Sequence, residues 1–322
     1  MSLREALLTH NADLLPGRRD EDWRWTDLRG VLRPLPDMST DLQGLTSRPD
    51  IEVLPGVIVR RHAAPVAGGV SDIELVVARG EVVLLLDAFE AGEGAYVRDA
   101  ALPIRLEEGA SLTRLVLAED GADAVSVICS DVSLAAGATF HQTVIASGAR
   151  RQRIETRVTH PGQGASVRLD GAYLLSGKRH ADQTTRLDHT GPGGESRQLV
   201  RGVAADQSRG VFQGRIIVRE GADGADARLT HNALMLSEKA EIDAKPELEI
   251  YADDVACAHG NTVGALDEEA LFYACARGIP APEARLMLIE AFIGEIVERI
   301  DEAVLQALAR SFVATRLEAL RG

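Results

Sequence analysis

The chain has 322 residues, and 35 Lys plus Arg against 49 Asp plus Glu give a formal net charge of −14. That balance excludes a broad nucleic-acid-binding surface, which needs clustered positive charge. Three cysteines (Cys129, Cys257 and Cys275) are too few and too odd for a disulfide framework, and no run approaches the roughly 20 apolar residues of a membrane span; a cytoplasmic protein without membrane contact is expected.

The N-terminal sequence from Met1 to Pro16 lacks the apolar core and small-residue cleavage site of a signal peptide. Leu3, Leu7 and Leu8 recur at helical spacing, and Pro16–Gly17 should stop that helix. Pro34, Pro36 and Pro49 make the following stretch a poor helix or strand. Trp23 and Trp25 are the only tryptophans and are expected to anchor this segment, residues 1–50, onto the main body.

From about residue 51 to 264 short β-rich runs alternate with turns, among them Val57–Arg60, Ile73–Val77, Val82–Leu86, Leu112–Leu117 and Arg215–Val218. The turns recur with a beat. Gly-x-[Ser/Thr/Asp] signals at Gly109, Gly137, Gly164, Gly194 and Gly224 begin 28, 27, 30 and 30 residues apart. A fixed period of this length signals stacked coils, each burying its apolar face only on its neighbours. An ordinary sandwich would show turns every 8–12 residues without the longer beat. The fold class expected is mainly β, a solenoid core flanked by N-terminal and C-terminal helical segments. Arg150, Arg151 and Arg153 read as a solvated patch balanced by Glu155.

After Gly264, residues 265–322 read as helical. Asp267 is a good N-cap, Gly278 a good stop, and Pro282 a good start for a second helix running to about Ile300. Asp301 could cap a third reaching Leu320. The apolar stripe from Leu286 to Ile300 is expected to pack on the solenoid end, where a cap is needed.

Cys257 and His259 stand two apart in a strand-like run, so both side chains belong to one face. A thiolate and an imidazole side by side suit iron or zinc. The pair cannot close a tetrahedral site alone. His180, Asp182, Asp188 and His189 form a second polar cluster, read first as solenoid surface rather than a metal site. Cys129 and Cys275 read as small buried hydrophobes. Gly171–Arg179 fails as a phosphate-binding loop: five residues separate its glycines, and Arg179 follows Lys178. Any dependence on ATP must therefore come from a partner, and the chain is expected to be no enzyme.

Five ordered stretches resemble the SufB/SufD family of the SUF iron–sulfur cluster assembly system: Phe212–Val218, Asn232–Ser237, Lys245–Val255, Cys257–Gly264 and Leu266–Ile279. The run Arg18–Arg29 and the Cys-Ala-His-Gly form look like the SufD branch. The sister SufB branch usually has His-Glu here, whereas Gly260 follows His259, so the SufB pattern is incomplete. The resemblance implies a right-handed parallel β-helix. It implies a SufB-like paralogue paired through the last strands, and a SufC-like ABC-type ATPase docked on the helical end. A transient iron–sulfur cluster would form where the solenoids meet, none being stably held by the isolated chain. His259 is the first candidate for a cluster-proximal group and Cys257 the second, each a transient metal ligand shared with the partner. Arg277 reads first as a helix-terminal cation and second as an interface residue. The alternatives are a polysaccharide-active β-helix enzyme, disfavoured by 4% aromatic content, and a metal-free homodimeric solenoid; a homodimer is also possible for the isolated chain.

Overall fold

The computed structural model describes residues 2–36 and 49–320. Helix α1 (Leu3–Thr9) starts at Ser2, whose side chain accepts from the Glu5 N–H. It stops at His10, in the left-handed region at φ 49°, well before Pro16–Gly17. There the His10 and Asn11 N–H groups bond back to Leu7 and Ala6, closing the helix end.

Eighteen strands follow among the described residues. In chain order they are β1 (Asp50–Leu54), β2 (Val57–His62), β3 (Gly68–Asp72), β4 (Leu75–Val77), β5 (Val82–Phe89), β6 (Val97–Ala101), β7 (Ile104–Leu106), β8 (Ser111–Ala118) and β9 (Val125–Leu134). Then come β10 (Thr139–Ala146), β11 (Arg151–His160), β12 (Ser166–Leu175), β13 (His180–His189), β14 (Glu195–Ala204), β15 (Arg209–Val218), β16 (Asp226–Met235), β17 (Glu241–Ile250) and β18 (Ala256–Gly264). Among the pairs between these strands β1 on β2 is antiparallel and the rest are parallel. One sheet stacks β1-β2-β5-β8-β10-β12-β14-β16-β18, and the other β3-β6-β9-β11-β13-β15-β17 with β4 and β7 to its side. The result is a parallel β-solenoid of about seven turns.

The beat in the sequence is the height of one coil. Ser111, Thr139, Ser166, Glu195 and Asp226 lie opposite one another in successive coils. Gly109, Gly137, Gly164 and Gly224 take positive φ at the corners, where a Cβ would be strained. At the fourth corner Gly193, not Gly194, takes it.

Inward rows form the main core, from Val77 and Leu85 through Phe140, Val167 and Tyr173 to Phe212, Ile216 and Leu229. Three helices follow the last strand: α2 (Glu268–Ala276), α3 (Ala281–Glu298) and α4 (Ala303–Glu318). Asp267 caps α2 by accepting from the Glu269 and Ala270 N–H groups, and Gly278 ends it at φ 91°. The expectation that these helices cap the solenoid end is corrected. Ile289, Ile293 and Ile296 of α3, with Leu305 and Val313 of α4, bury against Leu115, Ile145, Leu174 and Val203. Those are outward residues of β8, β10, β12 and β14, so the helices lie along a flank and cross several coils. The outward rows there are apolar and need cover. Asp301 does not cap α4; its carboxylate accepts from Arg168 at 2.6 Å, tying the loop to β12.

The N-terminal segment covers the opposite flank. Leu3, Leu7, Leu28 and Leu32 pack on Val70, Val97, Val125 and Val127. Further along, Thr26 donates to Asp182, His180 meets the Trp25 carbonyl at 3.0 Å, and Trp23 lies over the Arg153 guanidinium at 4.3 Å. Trp23 thus anchors by its ring and Trp25 by its main chain. The solvated-patch reading of Arg150–Arg153 fails at Arg153, which is buried between Asp182 and Glu155 at 3.0 Å each.

A polar knot around Asp87 lies within the buried interior. Asp87 is fully buried and accepts from Arg60 (2.6 and 2.7 Å), Arg114 (2.7 Å) and His62 (2.9 Å). Burial pushes its carboxyl up, but Arg114, His62 and Arg60 together outweigh it and hold it far below the ordinary range. Asp87→Ala should leave two buried guanidiniums uncompensated and destabilise the fold by about 3–5 kcal/mol, read by urea denaturation.

Several histidines are buried neutral. Burial, then the neighbouring His160, takes His189 down to about 3, and burial takes His231 down to about 4 against the opposing Asn261 bond. Unfolded, each takes up its proton near the ordinary 6.5. The unfolded chain therefore binds more protons between these limits, so stability rises with pH there and is lost as pH falls. Melting temperature should be flat above about pH 7 and drop steeply from about pH 6.5 towards 4. His189→Asn should flatten that slope in the same thermal melts.

Candidate functional site

The solenoid is closed by cover on both flanks but open at its last coil. Among the described residues β17 pairs only with β15, and β18 only with β16, so there each presents one free edge. The two edges differ. β17 carries Pro246, which has no N–H to offer, and its outward row is Asp243, Lys245, Glu247 and Glu249. Such features blunt an edge against pairing. β18 reads Ala-Cys-Ala-His-Gly-Asn-Thr-Val-Gly, with no proline and no acid, Lys or Arg. A Cβ built on Gly260 or Gly264 meets nothing within 4 Å. This nine-residue strand is an unprotected edge.

Cys257 and His259 both lie on β18, opposite Ala227 and Leu229 of β16. Ala227 and Leu229 belong to the inward core, so the pair occupies the mouth of the solenoid. Cys257 is half-buried against that core and His259 is exposed. Burial pushes the Cys257 thiol up, against a lowering contact from the Ala227 backbone. Burial therefore favours the protonated thiol over the thiolate in the isolated chain. A bound cation would reverse that. Among the described residues no three His, Cys, Asp or Glu side chains converge on a metal-sized site. Cys257 and His259 offer two donors of the soft and borderline kind, and a complete shell around iron would need further donors from outside the chain.

The sequence reasoning missed a third member of this row. Asn261 lies opposite His231 and its Oδ1 accepts from His231 Nδ1 at 2.7 Å. His231 Nε2 in turn accepts from the Tyr173 hydroxyl at 3.0 Å, and Phe212 stacks on the ring at 4.8 Å. This buried chain roots the free strand in the coil below. The hydrogen-bond partners of His231 lie 30 and 58 residues away in sequence, so no local pattern could have revealed the chain.

Arg277 makes its contacts on its own helix, donating to the Tyr273 hydroxyl at 2.9 Å and stacking on that ring. Among the described residues it contacts neither Cys257 nor His259. The His180–His189 cluster separates by strand alternation. His180 and Asp182 face outward under the N-terminal segment, while Asp188 is gripped by Arg219 through two bonds of 2.6 Å. His189 turns inward, stacked on His160 at 4.6 Å and bonded to Ser196. Cys129 is half-buried on the outer face, where burial and nearby acids push it up to about 12. Cys275 is half-buried on α2. Neither is a core hydrophobe. The Gly171–Arg179 stretch is the end of β12 and a strand-to-strand turn, with no helix following to cradle a phosphate. No helix among the described residues is long and apolar enough to cross a membrane.

Comparison with known proteins adds a family. The model for the SUF system FeS cluster assembly SufBD core domain matches residues 61–292. The iron–sulfur cluster assembly protein SufD of Escherichia coli is 32% identical over 241 residues, covering 73% of this chain and 56% of that protein. A SufBD family protein of Synechocystis is 29% identical over 69% of this chain and 49% of its own length. SufD of Bacillus subtilis is 37% identical over 38% of this chain and 28% of that protein. The chain spans about half the length of the first two relatives. With a match that runs from β2 into α3, this chain belongs to the SufBD family of the SUF iron–sulfur cluster assembly system.

Proposed function

We propose that this chain is a SufD-like assembly subunit that pairs its last coil with a SufB-like solenoid and presents Cys257 and His259 to a cluster forming at that junction. The observation that carries the reading is the unprotected edge of β18, whose inward row bears the two candidate donors. A strand from another solenoid laid on this edge would satisfy its free N–H and C=O groups and extend the ladder. The cluster is cargo, and the partner completes its ligand shell. A second copy of this chain offers the same edge and is the competing occupant when the partner is absent.

ATP turnover is assigned to a separate ABC-type subunit, because the sequence has no phosphate-binding loop. Its dock is the outer side of α2 and α3, where Phe272 (75% exposed), Tyr273 (61%) and Met287 (49%) stand in solvent. Truncation at Pro282 is a poor test, since it would uncover Leu115, Ile145 and Leu174 on the flank. Phe272→Ala with Met287→Ala leaves the core untouched. This pair should weaken capture of the ATPase subunit about tenfold or more while stability stays within about 0.5 kcal/mol. Unchanged capture, measured by biolayer interferometry, would remove the dock from these helices.

His259→Ala should leave folding and solenoid pairing intact and lower iron and sulfide content of the reconstituted complex about tenfold, the scale of losing a supported ligand. Cys257→Ala should do less, and Cys129→Ala and Cys275→Ala nothing. The assay is anaerobic reconstitution with the SufB-like and ATPase subunits. Wild-type cluster content in an intact His259→Ala complex would sink the assignment.

A further inference from the structure

The outer face of β11, β13 and β15 carries a pocket of about 270 Å³, walled on one side by the N-terminal segment at Asp22. Four arginines face it: Arg153, Arg157, Arg186 and Arg215. Register places three in one column, with Arg157 opposite Arg186 and Arg186 opposite Arg215. Neighbouring strands lie about 4.8 Å apart, so three like charges stack at close range.

Acids hold the outer members. Arg157 donates to Glu155 at 2.7 Å and reaches Asp131 at 3.5 Å. Arg215 donates to Glu247 at 2.9 and 3.1 Å and reaches Asp22 at 3.4 Å. Arg153 is enclosed by Asp182, Glu155 and the Trp23 ring. Arg186 is different. The acid it reaches is Asp188 at 3.6 Å, beyond hydrogen-bond length, and Asp188 is already held twice by Arg219. Asp188 is thus a loose partner for Arg186, shared with Arg219. Arg186 has a cation on the rung above, a cation on the rung below, and 41% exposure towards the pocket. Four arginines and three acids, Asp22, Glu155 and Glu247, line the pocket, and Arg186 is the arginine whose acid stands beyond hydrogen-bond length.

We propose that this pocket binds a small oxyanion of the phosphate class, with Arg186 as its central ligand between Arg157 and Arg215. A guanidinium offers paired donors that match a phosphate bidentately. Glu155 and Glu247 hold the flanking guanidiniums at the pocket wall. The volume suits one or two phosphate groups and is small for a whole nucleotide. The pocket is remote in sequence from Cys257 and His259 and does not depend on the function proposed above.

The test is titration of the full chain with pyrophosphate, inorganic phosphate and citrate at constant ionic strength, followed by calorimetry and tryptophan fluorescence. Pyrophosphate should bind saturably and perturb Trp23, which stacks on Arg153 at the pocket edge. Arg186→Gln gives up only the 3.6 Å pair to Asp188, which Arg219 still holds, so it should fold normally and bind about tenfold or more weakly, the loss of one charge-assisted contact. Arg150→Gln, exposed and outside the pocket, should bind as the parent does. Absence of saturable binding, or equal binding by Arg186→Gln, overturns the site. Citrate binding as tightly as pyrophosphate overturns its assignment to phosphate.

Discussion

The in-register parallel ladder is the constraint on which everything else rests. Because coil sits on coil without slippage, each residue has a fixed neighbour one coil above and one below. A column is then a chemical unit, although its members are about thirty positions apart in sequence. The column Phe140, Val167, Ser196, Ala227, Cys257 runs from deep core to open mouth. A one-residue slip would turn every inward side chain outward. The ladder therefore fixes which strand ends the stack and which face of that strand carries sulfur and imidazole.

A ladder has two ends, and the protein treats its surfaces unequally. Both flanks are covered, one by the N-terminal segment and the other by α3 and α4. At the terminal coil β17 is blunted by Pro246 and charge, while β18 is left bare. Exposed edges are costly in solubility terms, and the contrast between a blunted β17 and a bare β18 is what the proposed pairing rests on. The Tyr173–His231–Asn261 chain stiffens that strand from below, so its donors are presented on a braced support.

Much of this was legible in the sequence where the signal is local. The spaced glycines gave the coil height because a corner needs positive φ, and Asp267 and Gly278 marked helix ends for equally local reasons. The pairing of Cys257 with His259 followed from strand alternation alone. What could not be read depends on partners far along the chain. Arg153 looks solvent-borne beside Arg150 and Arg151, yet Asp182 and the segment at Asp22 bury it. The α3 stripe reports an apolar face but not which surface it covers. Asp301 resembles a cap until Arg168, 133 residues earlier, claims it.

The segment at residues 20–26 reaches across successive coils: Thr26 and Asp22 to Asp182, Arg153 and Gln213, and Glu21 to Lys245 on the terminal strand at 2.7 Å. A bare solenoid behaves as a row of dominoes, losing coils from its ends one at a time. A strap spanning several coils removes that independence, because the last coil cannot peel away without releasing contacts in the middle. With α3 and α4 bridging coils on the other flank, the array is bound like a book between two covers. Its opening is thereby converted from gradual fraying towards a concerted event, in which β17 and the coils beneath it come apart together.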